Sequence, residues 1–343
     1  MLYQETLTYD DVLLVPQYSD IESRTEINIS NHLDKNIKLE VPIISSPMDT
    51  VTESSMAIAI SELGGLGIIH RYNSIEEQVA MVDAALRDPG CRIVGAAIGV
   101  TGDYEERAAA LFEAGADVIC LDVAHGHHLL MKNALRRLTS TLPSAAHIMA
   151  GNVATKTGYE ALVDWGARSV RCNIGGGSIC STRIQTGHGI PGLQTIFECA
   201  SAGLDIPIIA DGGIKNSGDI AKALGAGADF VMLGSLLAGT DEAPGITYIN
   251  ASGRESKMYR GMASHGAQKD WRGRLTSAPE GVTSQIPYKG DVATVLRNLT
   301  MGVRSGFSYT GARTLPEFQA RAKFVKQTGA SQTESTAHIL RGE

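Results

Sequence analysis

The sequence predicts an α/β protein: a single closed barrel of eight parallel strands alternating with helices, a (β/α)8 barrel. Three observations predict it. Short apolar runs alternate with amphipathic helical stretches from residue 41 to residue 233, the mark of βα units and a parallel sheet. The runs number eight, the strand count of this barrel. Gly-Ala-Asp turns precede two of them, at Gly115-Ala116-Asp117 and Gly227-Ala228-Asp229.

In chain order, residues 1–40 read as irregular, and the apolar run Tyr9-Asp10-Asp11-Val12-Leu13-Leu14-Val15-Pro16 is expected to pack across a barrel end. Val41-Pro42-Ile43-Ile44 is short and apolar, as a strand covered on both faces must be, and its helix follows over 54–63. Gly67-Ile68-Ile69-His70 repeats the pattern, with a helix over 74–86. The third and fourth strands are 92–98 and 117–122, with helices over 103–114 and 127–142. His147-Ile148-Met149-Ala150 is the fifth, followed by a helix over 156–165. Ser169-Val170-Arg171-Cys172 reads as the buried sixth strand; a glycine-rich loop and a helix over 191–202 follow it. The seventh strand is 207–211, with a helix over 217–224, and Phe230-Val231-Met232-Leu233 is the eighth.

A barrel of this kind carries its active site at the C-terminal ends of the strands, so the residues there test the reading. They are Ser45-Ser46-Pro47-Met48-Asp49, Asp122-Val123-Ala124-His125-Gly126, Gly151-Asn152, the glycine loop, Asp211-Gly212-Gly213 and Gly234-Ser235. Small and polar residues gather at that end, and the other end has no comparable set. Between residues 240 and 290 the alternation stops; roughly fifty residues is far more than a βα connection needs, which points to a functional flap. Helical pattern returns over 291–303 and 315–325, and the end of the chain is polar. Residues 1–343 read as one catalytic domain.

With 43% hydrophobic and 20% charged residues, the composition is that of an ordinary globular protein. A net charge of -7 argues against nucleic acid as a partner. No apolar run is long enough to span a bilayer, and the first residues lack the basic and apolar segments of a signal peptide. The expectation is therefore no membrane association and a cytoplasmic location. Cys91, Cys120, Cys172, Cys180 and Cys199 have no metal-finger spacing and read as reduced thiols.

Chemistry concentrates in Gly175-Gly176-Gly177-Ser178-Ile179-Cys180-Ser181-Thr182-Arg183. Three successive glycines allow φ > 0 and a close approach of backbone to ligand, and their N–H groups suit a phosphate. Gly177-Ser178 and Gly234-Ser235, on late-strand loops, are candidate phosphate holders; either alone reads equally as a tight turn. Asp211, beside Gly212 and Gly213, suits a ribose diol, because Ser217 is the nearer candidate for capping the next helix. A lone cysteine is usually a small buried hydrophobe, the reading given to Cys91, Cys120, Cys172 and Cys199. Cys180 differs because it sits in a polar loop at the active end, where N–H groups or cations stabilise a thiolate nucleophile. Thr182 can pass a proton, and Glu280 in the flap is the candidate base. His70, His125, His127 and His128 have no acidic partners at ligand spacing, so no transition-metal site is expected.

With these residues in view, the sequence resembles the IMP dehydrogenase/GMP reductase family. The resemblance runs from Tyr9 to about residue 330. Its pieces are the Tyr9–Pro16 run, Ser45-Ser46-Pro47-Met48-Asp49-Thr50-Val51-Thr52-Glu53, the Cys180 loop, Ala210-Asp211-Gly212-Gly213, Met232-Leu233-Gly234-Ser235 and Tyr259-Arg260-Gly261-Met262. It implies a homotetrameric (β/α)8 barrel and a covalent bond from Cys180 to C2 of a purine nucleotide, GMP or IMP. By the resemblance, Ser178, Gly213, Gly234, Ser235 and Tyr259 would hold the 5′-phosphate, with Gly212 and Gly261 in the same substrate site. Asp211 would hold the ribose; Met48, Met262 and Ala263 would frame the base; and Glu280 would read N1 and the 2-amino group. Asp122, Val123, Ala124 and Asn152 would face the nicotinamide cofactor. The carbonyls of Gly175, Gly177 and Cys180 are similar to the family's ligands for a monovalent cation, potassium. Two departures stand out: Gly176-Gly177, where the family often has proline before the second glycine, and Ala263, where dehydrogenases tend to carry glycine.

Between the family's two branches the residues pull both ways. Leu86-Arg87-Asp88-Pro89-Gly90-Cys91 passes straight to the third strand, without the regulatory domain that many dehydrogenases insert. The stretch Met48 to Glu53 looks like a dehydrogenase, whereas Leu121 to Gly126, Met149 to Asn152 and Tyr309 to Leu315 look like a reductase. The flap decides. Dehydrogenases bring an Arg-Tyr pair to activate water; here the flap reads Trp271-Arg272-Gly273-Arg274-Leu275-Thr276, leaving only Arg272 or Arg274 for such a part. A reductase instead needs a proton for departing ammonia, which the Thr182–Glu280 pair suits. The expected activity is that of a GMP reductase using NADPH, the alternative an IMP dehydrogenase using NAD. A catalytically silent nucleotide-binding protein leaves the Cys180–Thr182 pair unexplained, and a sugar-phosphate enzyme leaves the thiol without a task.

Overall fold

The computed structural model describes residues 4–274 and 278–335. Eight parallel strands close a barrel: β1 (Ile43–Ser45), β2 (Leu66–Ile69), β3 (Val94–Ile98), β4 (Val118–Asp122), β5 (His147–Val153), β6 (Ser169–Cys172), β7 (Ile208–Asp211) and β8 (Phe230–Leu233). Leu233 of β8 pairs with Ser45 of β1, which completes the circle. Helices lie outside it: α1 (Ser54–Glu62), α2 (Ile75–Leu86), α3 (Tyr104–Glu113), α4 (Leu129–Thr141), α5 (Lys156–Asp164), α6 (Thr182–Thr186), α7 (Gly192–Ala200) and α8 (Ser217–Gly225). Both faces of the strands are covered, so the runs read as continuous rather than alternating apolar stretches. α2 ends at Leu86 and β3 begins at Val94, leaving a short link and no inserted domain.

Residues 4–40 are more ordered than expected. An antiparallel pair, Asn31–His32 with Lys38–Leu39, turns Leu33, Ile37 and Leu39 into the closed end of the barrel, against Leu66, Val118, Met149, Ile209 and Phe230. This pair, not the Tyr9–Pro16 run, plugs the barrel. The run instead lies on the flank, where Val12–Leu14 pairs antiparallel with Phe324–Lys326 and Lys222 Nζ donates to the Tyr9 carbonyl at 2.8 Å. The plug is pegged by His147, whose Nδ1 and Nε2 lie 2.7 Å from Asp34 Oδ2 and 2.9 Å from Ser169 Oγ. These are the residue types of a hydrolytic triad. His147 and Ser169 are both completely enclosed, so the set ties plug to strands and reaches no substrate. Burial pushes the His147 imidazole below its ordinary pKa, which keeps it neutral.

Two local readings change. α8 is capped by Asn216, whose side chain accepts from Asp219 N–H at 2.9 Å, not by Ser217. The segment expected as one helix over 191–202 is preceded by the five-residue α6, which begins at Thr182. Beyond β8 the flap is a three-stranded antiparallel sheet of β9 (Tyr248–Ile249), β10 (Glu255–Arg260) and β11 (Thr283–Pro287), with α9 (His265–Arg272) between the last two. α10 (Val292–Ser308) and α11 (Leu315–Arg321) return along the barrel, and α11 stops short of the flank strand that begins at Phe324.

Candidate active site

The C-terminal strand ends and the flap enclose a cavity of about 260 Å³. Cys180 stands in its wall, half-buried, while the other four cysteines are buried. Cys180 Sγ donates to Thr182 Oγ1 at 3.1 Å, and Thr182 Oγ1 donates to Glu280 Oε2 at 2.7 Å. Thr182 and Glu280 are 98 positions apart, and backbone lacing closes that distance. Val282 N–H donates to the Ile179 carbonyl at 3.0 Å, Ser181 N–H to the Glu280 carbonyl at 2.9 Å, and Glu280 N–H to the Ala263 carbonyl at 3.1 Å. The thiol loop and the flap thus form one short ladder, and a thiol, a hydroxyl and a carboxylate come into line across it.

The glycines serve different ends than a uniform flexible loop. Gly175 alone of the three adopts positive φ, at 78°. A Cβ on Gly176 would come 2.1 Å from Asn173 Nδ2, so that position is kept small by packing. Gly212 and Gly213 have φ of 84° and 79°, and a Cβ on Gly212 would sit 3.3 Å from the Gly177 Cα. The loops after β6 and β7 therefore touch backbone to backbone beside Ser178. Gly234 and Ser235 complete this end, where a Cβ on Gly234 would lie 3.0 Å from Tyr259 Oη and 3.3 Å from Met48 Sδ. Burial pushes the Tyr259 phenol up to about 12 against the opposing bond from Ser178, so Tyr259 remains a donor. Gly261, Met262 and Ala263 face the cavity from the flap, and Asp49 N–H reaches Met262 Sδ at 3.3 Å.

The opposite half is organised by a residue the sequence reading passed over. Arg171, in β6, is almost fully buried and sits between two carboxylates. It is 2.7 Å from Asp122 Oδ1 and 2.8 Å from Asp211 Oδ2. Arg71 adds a second cation, 3.5 Å from Asp122 Oδ2. Burial opposes ionisation of Asp122, but the two guanidinium groups outweigh it and hold the carboxyl below its usual range. Arg171 is itself held well above its ordinary value: burial works against its charge and the facing anions overcome that. Asn152 Nδ2 donates to Asp211 Oδ2 at 2.8 Å, so Asp211 is gripped on one oxygen; Oδ1 accepts nothing from the described residues. The only signal for Arg171 was a cation in an otherwise apolar run, which means a buried charge and hence a partner.

Val123, Ala124 and Tyr72 also line the cavity. Trp271 of α9 stacks on Tyr72 with centroids 5.8 Å apart and planes 15° from parallel, and Arg260 of β10 pairs with Asp49 at 2.6 Å. The flap is thus pinned over the cavity from two sides. Asn152 Oδ1 is buried without a hydrogen-bond partner among the described residues. A buried polar atom left unpaired is costly, so this oxygen fits a polar ligand such as a nicotinamide group. The carbonyl of Gly177 accepts from Cys180 N–H at 3.1 Å, whereas those of Gly175 and Cys180 accept from no described residue. Such oxygens fit a hard cation. Among the described residues no group of three or more His, Cys, Asp and Glu could hold a metal ion. The side chain of Arg272 and residues Leu275 and Thr276 lie outside the described residues; Arg274 is exposed.

Comparison with known proteins bears on the family and the fold. The family model for the IMP dehydrogenase / GMP reductase domain matches residues 6–338. An inosine-5′-monophosphate dehydrogenase of Nitrosopumilus maritimus is 35% identical, with 98% of this chain and 99% of the relative covered. A GMP reductase of Leishmania major is 34% identical, with 98% and 97% covered. A crystal structure of GMP reductase from Trypanosoma brucei in complex with guanosine 5′-monophosphate superimposes with a TM-score of 0.92 at 34% identity, covering 98% of each chain.

Proposed function

The chain belongs to the IMP dehydrogenase/GMP reductase family, oxidoreductases that use a nicotinamide dinucleotide, and we propose that it is a GMP reductase. The reaction would be GMP, NADPH and two protons to IMP, ammonium and NADP⁺. The observation that carries this reading is the unbroken path from Cys180 through Thr182 to Glu280, under a flap whose Trp271 packs on the cavity-lining Tyr72. That path moves protons between a nucleophile and a leaving group; it does not require an activated water.

In the proposed mechanism the nucleotide phosphate lies at Ser178, Gly213, Gly234, Ser235 and Tyr259, and Asp211 Oδ1 takes the ribose. Met48, Met262 and Ala263 frame the purine. Cys180 Sγ forms a bond to C2, and the bond from C2 to the 2-amino nitrogen breaks. The thiol proton passes to Thr182 and Glu280 and leaves with that nitrogen as ammonia. Asp122, Val123, Ala124 and Asn152 would hold the reduced nicotinamide, whose chemistry would be hydride donation to C2. The carbon–sulfur bond then breaks, and Cys180 takes up a proton from solvent by way of Glu280 and Thr182, one of the two that the reaction consumes. Arg171 keeps Asp122 ionised and holds both Asp122 and Asp211 in place throughout. The carbonyls of Gly175, Gly177 and Cys180 would hold potassium, which would brace the thiol loop. A homotetramer is part of the same proposal, on the family resemblance alone.

The second reading, IMP dehydrogenase with NAD and water, is favoured by one observation: the dehydrogenase relative is as similar to this chain as the reductase. Absorbance at 340 nm separates the two. With GMP and NADPH the proposal expects a fall matched by ammonia release, and with IMP, NAD and potassium a flat trace. A rise in the second cuvette alone would establish the dehydrogenase and make a flap arginine the water activator.

A further inference from the structure

The ligands placed at the 5′-phosphate are all neutral, which leaves a dianion without a counter-charge in that set. The structure holds a cation behind them. Residues 234–238 form a single turn in which Leu237 and Ala238 N–H donate to the Gly234 carbonyl at 3.0 and 2.9 Å. The N–H groups of Ser235 and Leu236 have no acceptor among the described residues. Lys289 Nζ donates to the carbonyls of Ser235 and Leu236, the latter at 3.1 Å. A trans peptide points its N–H and C=O in opposite directions. An ammonium on the Ser235 carbonyl therefore lies behind a peptide whose N–H, that of Leu236, faces the other way, and it polarises that peptide toward an anion.

Lys289 belongs to the flap. It follows β11, its own N–H donates to the Gly239 carbonyl at 2.9 Å, and the next carbonyl, of Gly290, accepts from Asp241 N–H at 3.0 Å. Burial pushes the ammonium down to about 8, and no carboxylate among the described residues pairs with it. Keeping a charge there is unfavourable unless something negative offsets it. Lys257 of β10 uses the same bonding further along, donating to the carbonyls of Thr240 and Ala243 at 2.9 and 2.5 Å, but it faces the charges of Asp241 and Glu242.

We propose that Lys289 is a positioning residue for the 5′-phosphate. It holds the carbonyl side of the 234–238 turn so that the free N–H groups meet the dianion, supplies the missing positive charge through the Ser235–Leu236 peptide, and couples seating of the flap to occupancy of the phosphate site. The inference rests on the phosphate placement of the proposed function.

The test compares binding of GMP and guanosine, which differ only in the phosphate, to the full chain and to Lys289→Met, Lys289→Arg and Lys257→Met. Lys289→Met is expected to weaken GMP binding about tenfold or more with guanosine unchanged, to raise KM for GMP more than it lowers kcat, and to be largely rescued in Lys289→Arg. Lys257→Met is expected to lower Tm while leaving the GMP-to-guanosine ratio intact. A Lys289→Met protein that keeps the full preference for GMP, or that loses both ligands equally, overturns the role of Lys289. A wild-type protein that binds guanosine as tightly as GMP overturns the phosphate placement, and the role of Lys289 with it. If Lys289→Met does not fold, Lys289→Gln is read by the same ratio.

Discussion

Cys180→Ala is expected to lower turnover of GMP by at least about 10⁴-fold while leaving nucleotide binding nearly intact, because removing a covalent nucleophile removes the path rather than one stabilising contact. The structure gives no reason for the variant to unfold. Cys180 is only half-buried, and its backbone ladder to the flap uses Ile179 and Ser181 carbonyl and N–H groups that alanine leaves in place. The expected signature is therefore an unchanged Tm, GMP affinity within a few-fold of wild type, and no ammonia above background. Loss of affinity in step with turnover would mean that Cys180 holds the loop and does not attack the purine.

Glu280→Gln is expected to lower kcat by about 10²–10⁴-fold, the range for removing a positioned general acid–base group, with KM for GMP much less affected. Glutamine keeps the length of the side chain and an oxygen for Thr182 Oγ1, now 2.7 Å from Glu280 Oε2, but it cannot take and return a proton. The deamination half should suffer most, since departing ammonia needs a proton. Steady-state kinetics together with rapid-quench ammonia release separates the halves. Equal losses in kcat and in GMP affinity would assign Glu280 to base recognition alone.

The barrel was legible because strands covered on both faces become unbroken apolar runs, and because a (β/α)8 barrel sends its reactive residues to one end. Cys180, Asp211 and Gly234 could be found from that rule and from residue type. Other features depend on tertiary context that spacing does not carry. The plug residues Leu33, Ile37 and Leu39 form no long pattern; their burial comes from the barrel interior they enter. Thr182 sits on a helix of only five residues, too short to show periodicity. The side-chain hydrogen bond from Thr182 to Glu280 forms because backbone pairing brings the thiol loop and the flap together. Arg171 interrupts an apolar strand, and its meaning appears only when Asp122 and Asp211 are seen on either side of it.

The measurement that tests the central claim most directly is covalent trapping with 2-chloroinosine 5′-monophosphate, followed by intact mass and peptide mapping. Displacement of chloride at C2 by the Cys180 thiol would leave a stable thioether. The account predicts one nucleotide added per chain, located on Cys180, absent in Cys180→Ala and slowed by excess GMP. No adduct under conditions where the nucleotide binds, or an adduct on any other cysteine, would contradict the assignment of Cys180 as the nucleophile.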